Sequence, residues 1–377
     1  MHKTTIHELY ETGQSIWLDN INRSMIESGR LEELINLGLR GLTSNPTIFD
    51  KAISTSTDYD ERILQLDNGD KKTFQIYDDL TIKDIQDAAD IFLSTYEKSQ
   101  GLDGYVSLEI NPHLAFNTTE TIKEGKRLYQ KVNRPNVMFK VPATDEGFKA
   151  IEELISSGIS VNVTLIFSLE QYIKTTQAYL SGIKRLLENN GNPRNVRSVA
   201  SVFVSRIDTA ADTLLEEKGS QEQEENTKNE LHSLKGKAAV ANSRLIYKKY
   251  QKILSSEEFK ALWEKGANVQ RVLWGSTSSK NPAYSDIKYV TELIGKNTVN
   301  TVPDGTLDAF LDHGEVKEAL VADAGDAQEI IENLRKFDID INTVCAKLLA
   351  DGVVSFEKSF DSLLNSIETK SKNLCPK

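Results

Sequence analysis

Eight short, β-branched runs recur along the chain, separated by longer segments of helical periodicity. They fall at Ser15–Asp19, Gly41–Thr43, Tyr105–Ile110, Asn136–Val141, Ser160–Phe167, Ser198–Val204, Gln270–Gly275 and Thr298–Val302. Several, such as VMFKV, VNVTLIF and SVASVFV, are apolar almost from end to end. A strand of that kind belongs in a parallel sheet buried on both faces. LEELINLGL follows the first run, TIKDIQDAADIFLSTYEKSQ precedes the third, FKAIEELISSG follows the fourth and LEQYIKTTQAYLSGIKRLLEN follows the fifth, all with helical spacing. This alternation predicts an α/β protein built as a closed (β/α)8 TIM barrel; periodicity alone also allows an open doubly wound sheet.

The 377 residues suit one barrel with additions, since such domains run from ~250 to over ~400 residues. There is no internal repeat and no Pro-, Gly- or Ser-rich linker, so residues 1–377 read as a single domain with extra helices and insertions. Ile53–Leu80 is polar and helical, placed between the second strand and its usual crossover helix. Leu214–Tyr250 opens LEEKGSQEQEENTKNELHSLKGKAA, and its first half has almost no apolar residue, which predicts an exposed or partly mobile helical insertion at about 214–250. Residues 367–377 read as a frayed tail.

A net charge of −11 with 27% charged residues suits a soluble chain and disfavours nucleic-acid binding, which needs clustered cations. A local basic pocket for a small anion stays compatible with that balance. No apolar run approaches the ~18 residues of a membrane span, and the N-terminus has no secretory h-region. The two cysteines, Cys345 and Cys375, suit a reducing cytoplasm, and Cys345 sits in an apolar helical pattern typical of core. His2, His7, His113, His232 and His313 show no metal-ligand spacing, and no glycine-rich phosphate loop is present, so no metal and no cofactor is expected.

Charge inside the strands is the anomaly that bears on function. Asp19 ends IWLD, Glu109 sits in VSLEI, Lys140 in VMFKVP, and Asn162 and Thr164 alternate in VNVTLIF. An unpaired buried charge costs several kcal/mol, and in a parallel barrel the strand C-termini face the catalytic mouth. Each residue also has a plain structural reading. Lys140 can snorkel to the rim, Asp19 can cap the next helix, Glu109 can pair with Lys140, and Asn162 and Thr164 can hydrogen-bond within the barrel. Together they assemble a chemistry. Burial disfavours an ammonium and leaves a nucleophilic amine, which condenses with a ketone to an imine and makes a β C–C bond cleavable. Glu109, through a water on Thr164, would serve imine formation. Asp19 would take the proton from the hydroxyl on the departing carbon, while Asn45 and Asn162 hold the hydroxyls of the bound ketone unit.

The segments GLTSNPTIF (Gly41–Phe49), SLEINP (Ser107–Pro112), MFKVPAT (Met138–Thr144), VNVTLIFS (Val161–Ser168) and VFVSRID (Val202–Asp208) resemble the transaldolase family, in family order and from Asp19 to about Pro303. WGSTSSKNP (Trp274–Pro282) and the insertions are similar to the longer subclass of actinobacteria, cyanobacteria and plants. The resemblance implies a Schiff-base transferase of the non-oxidative pentose phosphate pathway. Dihydroxyacetone would move from sedoheptulose 7-phosphate to glyceraldehyde 3-phosphate, giving erythrose 4-phosphate and fructose 6-phosphate. It implies that Lys140 is the Schiff-base lysine, Asp19 the acid/base group, Glu109 and Thr164 the catalytic-water network, and Asn45 and Asn162 substrate holders. Ser201 and Arg206 match phosphate-binding positions. The arginine that much of the family carries after strand seven is missing here; Lys280 is the available cation, with Ser276 and Thr277 adding hydroxyls. Phe203 stands where related fructose 6-phosphate aldolases tend to carry tyrosine, which favours transfer over the rival aldolase reading. A non-catalytic sugar-phosphate-binding barrel is the rival of another class, and it has no need to keep Lys140, Asp19 and Glu109 together. The expected partners are sugar phosphates, with the chain a monomer or homodimer in the cytoplasm and no membrane or nucleic-acid partner.

Overall fold

The computed structural model describes residues 3–67, 71–321 and 323–374. His2 and Cys375, and the last three residues of the expected frayed tail, lie outside them. Eight strands form a closed barrel in sequence order, every neighbour parallel: β1 (Gln14–Leu18), β2 (Gly41–Thr43), β3 (Tyr105–Glu109), β4 (Val137–Pro142), β5 (Val161–Ile166), β6 (Ser198–Phe203), β7 (Arg271–Gly275) and β8 (Thr298–Val302). β1 pairs with β8, so the open-sheet alternative is excluded.

In chain order the helices are α1 (Thr5–Glu11), α2 (Arg23–Glu27), α3 (Arg30–Asn36), α4 (Pro46–Thr55), α5 (Asp60–Leu66), α6 (Thr73–Lys98), α7 (Thr118–Val132), α8 (Asp145–Ser156) and α9 (Leu169–Glu188). They continue with α10 (Ser205–Gln221), α11 (Glu225–Ser233), α12 (Ala238–Leu254), α13 (Glu257–Trp263), α14 (Lys288–Thr291), α15 (Asp304–His313), α16 (Ala327–Lys336) and α17 (Ile341–Leu374). The residues just past β4 and β5 start the next helices. Thr144 accepts from Gly147 N to cap α8, and Ser168 and Gln171 form a reciprocal capping box on α9.

Alternation along each strand sorts the barrel interior into layers. Trp17, Tyr105, Met138, Val199, Leu273 and Val299 form an inner apolar cluster, separate from the larger core under the helices. Gly41 belongs to this layer: a Cβ there would lie 2.6 Å from the Trp17 indole, so only glycine fits. One step further along the strands the inward positions turn polar, and these positions form the mouth.

Two segments differ from the sequence expectation. In 214–250 the exposed polar stretch is confined to the end of α10 and to α11, and α12 is a packed helix of the outer layer. The small residues Ala238, Ala239 and Ala241 let α12 lie close, while Ile246, Tyr247 and Tyr250 bury beside them. Asp208 accepts from Ala239 N, and Asp212 accepts from Gly236 N, fixing the turn before it. Residues 367–374, expected to fray, continue α17, where Ile367 and Ser371 are buried and Lys370 pairs with Asp60 at 2.5 Å. Cys345 is fully buried on α17, and burial pushes its thiol up to about 12, which suits core rather than a redox sensor. Among the described residues no helix is long and apolar enough to cross a membrane.

Candidate functional site

β3, β4 and β5 bring three of the anomalous polar residues side by side, because Glu109 is in register with Lys140 and Lys140 with Asn162. Lys140 is 5% exposed and Glu109 6%, so the pair is shut off from bulk water. Lys140 Nζ lies 2.8 Å from Glu109 Oε2 and donates to Ser44 O at 2.9 Å. The rim-snorkelling reading of Lys140 is therefore replaced by a buried, paired ammonium aimed into the barrel. Glu109 itself stands behind the lysine, outside the cavity wall.

That wall encloses about 260 Å³ and includes Asp19, Asn45, Lys140, Asn162, Thr164, Ser201, Phe203, Arg206, Lys280, Ser276 and Thr277, every residue singled out for the site in the sequence except Glu109. Asp19 follows β1 directly. It is no helix cap, since Asn22 caps α2. Thr43 donates to Asp19 Oδ1 at 2.8 Å, and Thr301 Oγ1 lies 2.7 Å from Thr43 Oγ1, so Thr301 can supply the hydrogen bond that frees Thr43's proton for Asp19. Burial is the largest influence on the Asp19 carboxyl and holds it above the usual carboxylate range, with the Lys140 charge and the Thr43 hydrogen bond pulling the other way. Glu109 is also raised, first by burial and against the pull of Lys140. A half-buried carboxyl and a buried one, both holding protons at higher pH than usual beside one amine, are suited to passing protons during imine chemistry.

Asn162 is fully buried and braced at both ends, donating to Ser107 Oγ at 3.1 Å and accepting from Ser201 Oγ at 2.6 Å. Its amide plane is thereby fixed, and the Ser201 proton is committed to Asn162. Asn45 caps α4, accepting from Ile48 N at 3.0 Å, which leaves its Nδ2 for the cavity. Thr164 Oγ1 is buried with no hydrogen-bond partner among the described residues. A buried hydroxyl without a protein partner is suited to holding a water. β5 carries one extra residue against β6 just after Thr164, with Leu165 at φ +58°. Bulges and left-handed non-glycine residues cluster where a side chain must be re-aimed, and here the bulge sits beside Thr164.

Arg206 opens α10 at the far end of the cavity. Among the described residues no carboxylate pairs with it, and burial lowers its guanidinium below the usual value. Its neighbour is the Phe203 ring, 5.5 Å away. An unpaired, half-buried guanidinium at a helix N-terminus is a site for an anion. Lys280 is exposed on the loop after β7 and reaches the same end. Of the two hydroxyls expected to assist, Thr277 donates to Thr301 O and Ser276 faces Ser205 Oγ at 3.1 Å.

Sequence reasoning overlooked Thr43, Ser44, Ser107, Thr301 and Phe356. Thr43, Ser44 and Ser107 lie within the quoted motifs, but a hydroxyl in a strand gives no distinguishing signal. Phe356 lies on α17 and lines the cavity from across the mouth.

The chain matches the family model described as Transaldolase/Fructose-6-phosphate aldolase over residues 16–367. A protein named Transaldolase from the cyanobacterium Trichodesmium erythraeum is 47% identical over 98% of both chains. One of the same name from the actinobacterium Saccharopolyspora erythraea is 44% identical over 97% of each. A third, from Neisseria meningitidis, is 41% identical over 96% of this chain and 99% of its own.

Proposed function

Because the chain belongs to the transaldolase/fructose-6-phosphate aldolase family, we propose that its barrel mouth carries out Schiff-base transfer of a dihydroxyacetone unit between sugar phosphates. The reading rests above all on Lys140, which lines one cavity with Asp19 and is backed by its buried partner Glu109. The chain acts as a transferase with transaldolase activity.

The donor, sedoheptulose 7-phosphate, enters with its phosphate toward Arg206 and Lys280 and its C2 ketone at Lys140. Glu109 accepts the proton that Lys140 must lose before attack. Nζ adds to C2, and the same proton, relayed through a water on Thr164, leaves with the carbinolamine hydroxyl. The resulting iminium withdraws electrons from C3. Asp19 takes the proton of the C4 hydroxyl, the C3–C4 bond breaks, and erythrose 4-phosphate departs. The remaining enamine, its hydroxyls held by Asn45 and by Asn162 in its Ser107–Ser201 brace, attacks the aldehyde of glyceraldehyde 3-phosphate. Asp19 returns its proton to the new alkoxide, and hydrolysis of the iminium releases fructose 6-phosphate. Phe203 offers the enamine no hydroxyl proton, which favours transfer over release of free dihydroxyacetone. All the groups in this scheme come from one chain, consistent with a monomer or homodimer, and the reaction suits the cytoplasm.

The test is chemical trapping. Incubation with fructose 6-phosphate and borohydride, followed by peptide mass mapping, is expected to place a reduced three-carbon adduct on Lys140. Added erythrose 4-phosphate should diminish it as sedoheptulose 7-phosphate appears. An adduct with no transfer supports the aldolase, and no adduct on any lysine of folded protein leaves only a binding barrel.

The same scheme gives a pH signature. Thr43→Val removes a hydrogen bond that favours ionised Asp19, so the carboxyl should rise further above its usual range. A hydrogen bond to a charged group is worth ~1.5–3 kcal/mol, so the acid limb of the pH–kcat profile should move up by about one unit, with rates near pH 8 falling much less. A uniform loss of rate with an unmoved limb would remove Asp19 from this role.

A further inference from the structure

α17 is an amphipathic helix whose stripe Val353, Phe356, Phe360, Leu363 and Ile367 recurs at helical spacing and is buried. All five residues pack into the outer core. Phe356 also faces the substrate cavity, because α17 lies across the barrel mouth there. Its ring centroid is 5.9 Å from Lys140 Nζ and 6.5 Å from the Phe203 ring, and Phe203 is 5.5 Å from Phe167. Three aromatic rings thus run in series from the buried Phe167 to the nucleophile.

The helix is fixed in this position. A Cβ on Gly352 would stand 3.1 Å from Leu165, the left-handed residue of the β5 bulge, so the helix backbone sits directly on that bulge. Ser359 accepts from Thr47 at 2.9 Å, and Ser362 and Ser366 both donate to Asp50 at 2.7 Å. Thr47 and Asp50 belong to α4, the helix capped by Asn45, so one set of contacts holds Phe356 and a substrate-facing asparagine together.

We infer that Phe356 is a specificity-determining residue that keeps water from the dihydroxyacetone enamine on Lys140 and so commits the bound unit to an aldehyde acceptor. This rests on the Schiff-base reading above. The enamine has two exits. In transfer its carbon forms a bond to the acceptor aldehyde, and the aldehyde oxygen takes the proton held by Asp19. In leakage the same carbon takes a proton delivered through water, and water then hydrolyses the iminium to free dihydroxyacetone. That water replaces the one lost on imine formation, so the leak needs no co-reactant and only solvent access stands in its way. An apolar ring on the α17 side of Lys140 keeps bulk solvent from the enamine carbon, while the water on Thr164 still serves imine formation and product hydrolysis, and its π face also favours the cationic iminium.

The experiment compares Phe356→Ala, Phe356→Gln and Phe356→Leu in the full chain. Fructose 6-phosphate serves as donor and erythrose 4-phosphate as acceptor, and the readout is free dihydroxyacetone released per sedoheptulose 7-phosphate formed. Alanine opens the mouth and glutamine keeps bulk while admitting water, so both should raise that ratio by about tenfold or more, while leucine stays near the parent. Circular dichroism checks folding, and if the alanine variant does not fold, glutamine against leucine decides. An unchanged ratio in every folded variant, whatever happens to overall rate, would show that Phe356 only packs α17. Failure of the underlying reading looks different: the parent protein would then give no borohydride adduct at Lys140.

Discussion

Replacing Lys140 with methionine is expected to lower the transfer rate by at least about 10⁴-fold, because the covalent path disappears while the cavity stays nearly the same size. Methionine matches the length of the lysine stem but cannot form an imine, and among the described residues no other lysine shares a buried pairing like the one to Glu109. The change also removes one partner of a buried ion pair. A carboxylate left alone at 6% exposure is destabilising by ~3–5 kcal/mol unless it takes up a proton, which its raised pKa eases. The decisive comparison is therefore the double variant Lys140→Met with Glu109→Gln, which no longer strands a charge at Glu109. It should recover most of the lost stability in a urea titration and recover none of the activity. Activity returning with stability would show that Lys140 serves the fold, and that the nucleophile lies elsewhere.

The positions that became legible in the sequence, and those that did not, divide along a physical line. A strand buried on both faces must be apolar, so all eight strands could be found within a residue or two of their ends, and a charge inside one could be noticed. Lys140, Glu109 and Asp19 drew attention for that reason, and the fold brings them together. The same rule gives no information about hydroxyls. Thr43 and Thr301 tune Asp19 and Ser107 braces Asn162, yet threonine and serine are ordinary in strands. Asn45 was legible through its motif, but its capping of α4 was not assigned. The C-terminal segment was misjudged from its polar end, because what holds it is distributed: Asp50, Asp60 and the α4 surface are about 300 positions earlier in the chain. Phe356 is hidden for the same reason. A phenylalanine on the apolar stripe of a helix reads as core, and only the crossing of α17 over the mouth makes it part of the site.

Arg271 is also a charge inside an apolar strand, and its place at the opposite end of the barrel gives it the opposite meaning. It opens β7, so it lies at the N-terminal face, where a conspicuous residue points to stability rather than chemistry. Its guanidinium donates to Asp103 Oδ1 at 2.8 Å, to Leu102 O at 2.6 Å and to Ser15 Oγ at 3.0 Å. Ser15 donates in turn to Asp103 Oδ2 at 2.9 Å, and Trp17 Nε1 reaches Asp103 Oδ1 at 3.3 Å. Asp103 is fully buried and Arg271 5% exposed, so this cluster plugs the barrel floor beneath the Trp17 layer. Asp103→Ala should destabilise the protein by ~3–5 kcal/mol, because it strands a buried guanidinium and leaves the Ser15 and Trp17 donors short of an acceptor. The double change Asp103→Leu with Arg271→Met should recover much of that loss, since burying two apolar groups avoids both desolvation penalties. Transfer activity measured well below the unfolding midpoint should stay within about threefold of the parent in both variants, as no group at the floor lines the cavity at the mouth. If Asp103→Ala left stability unchanged, the cluster would have to be open to water, which removes the desolvation argument. If it abolished activity in still-folded protein, floor and mouth would be coupled through the layer that contains Trp17.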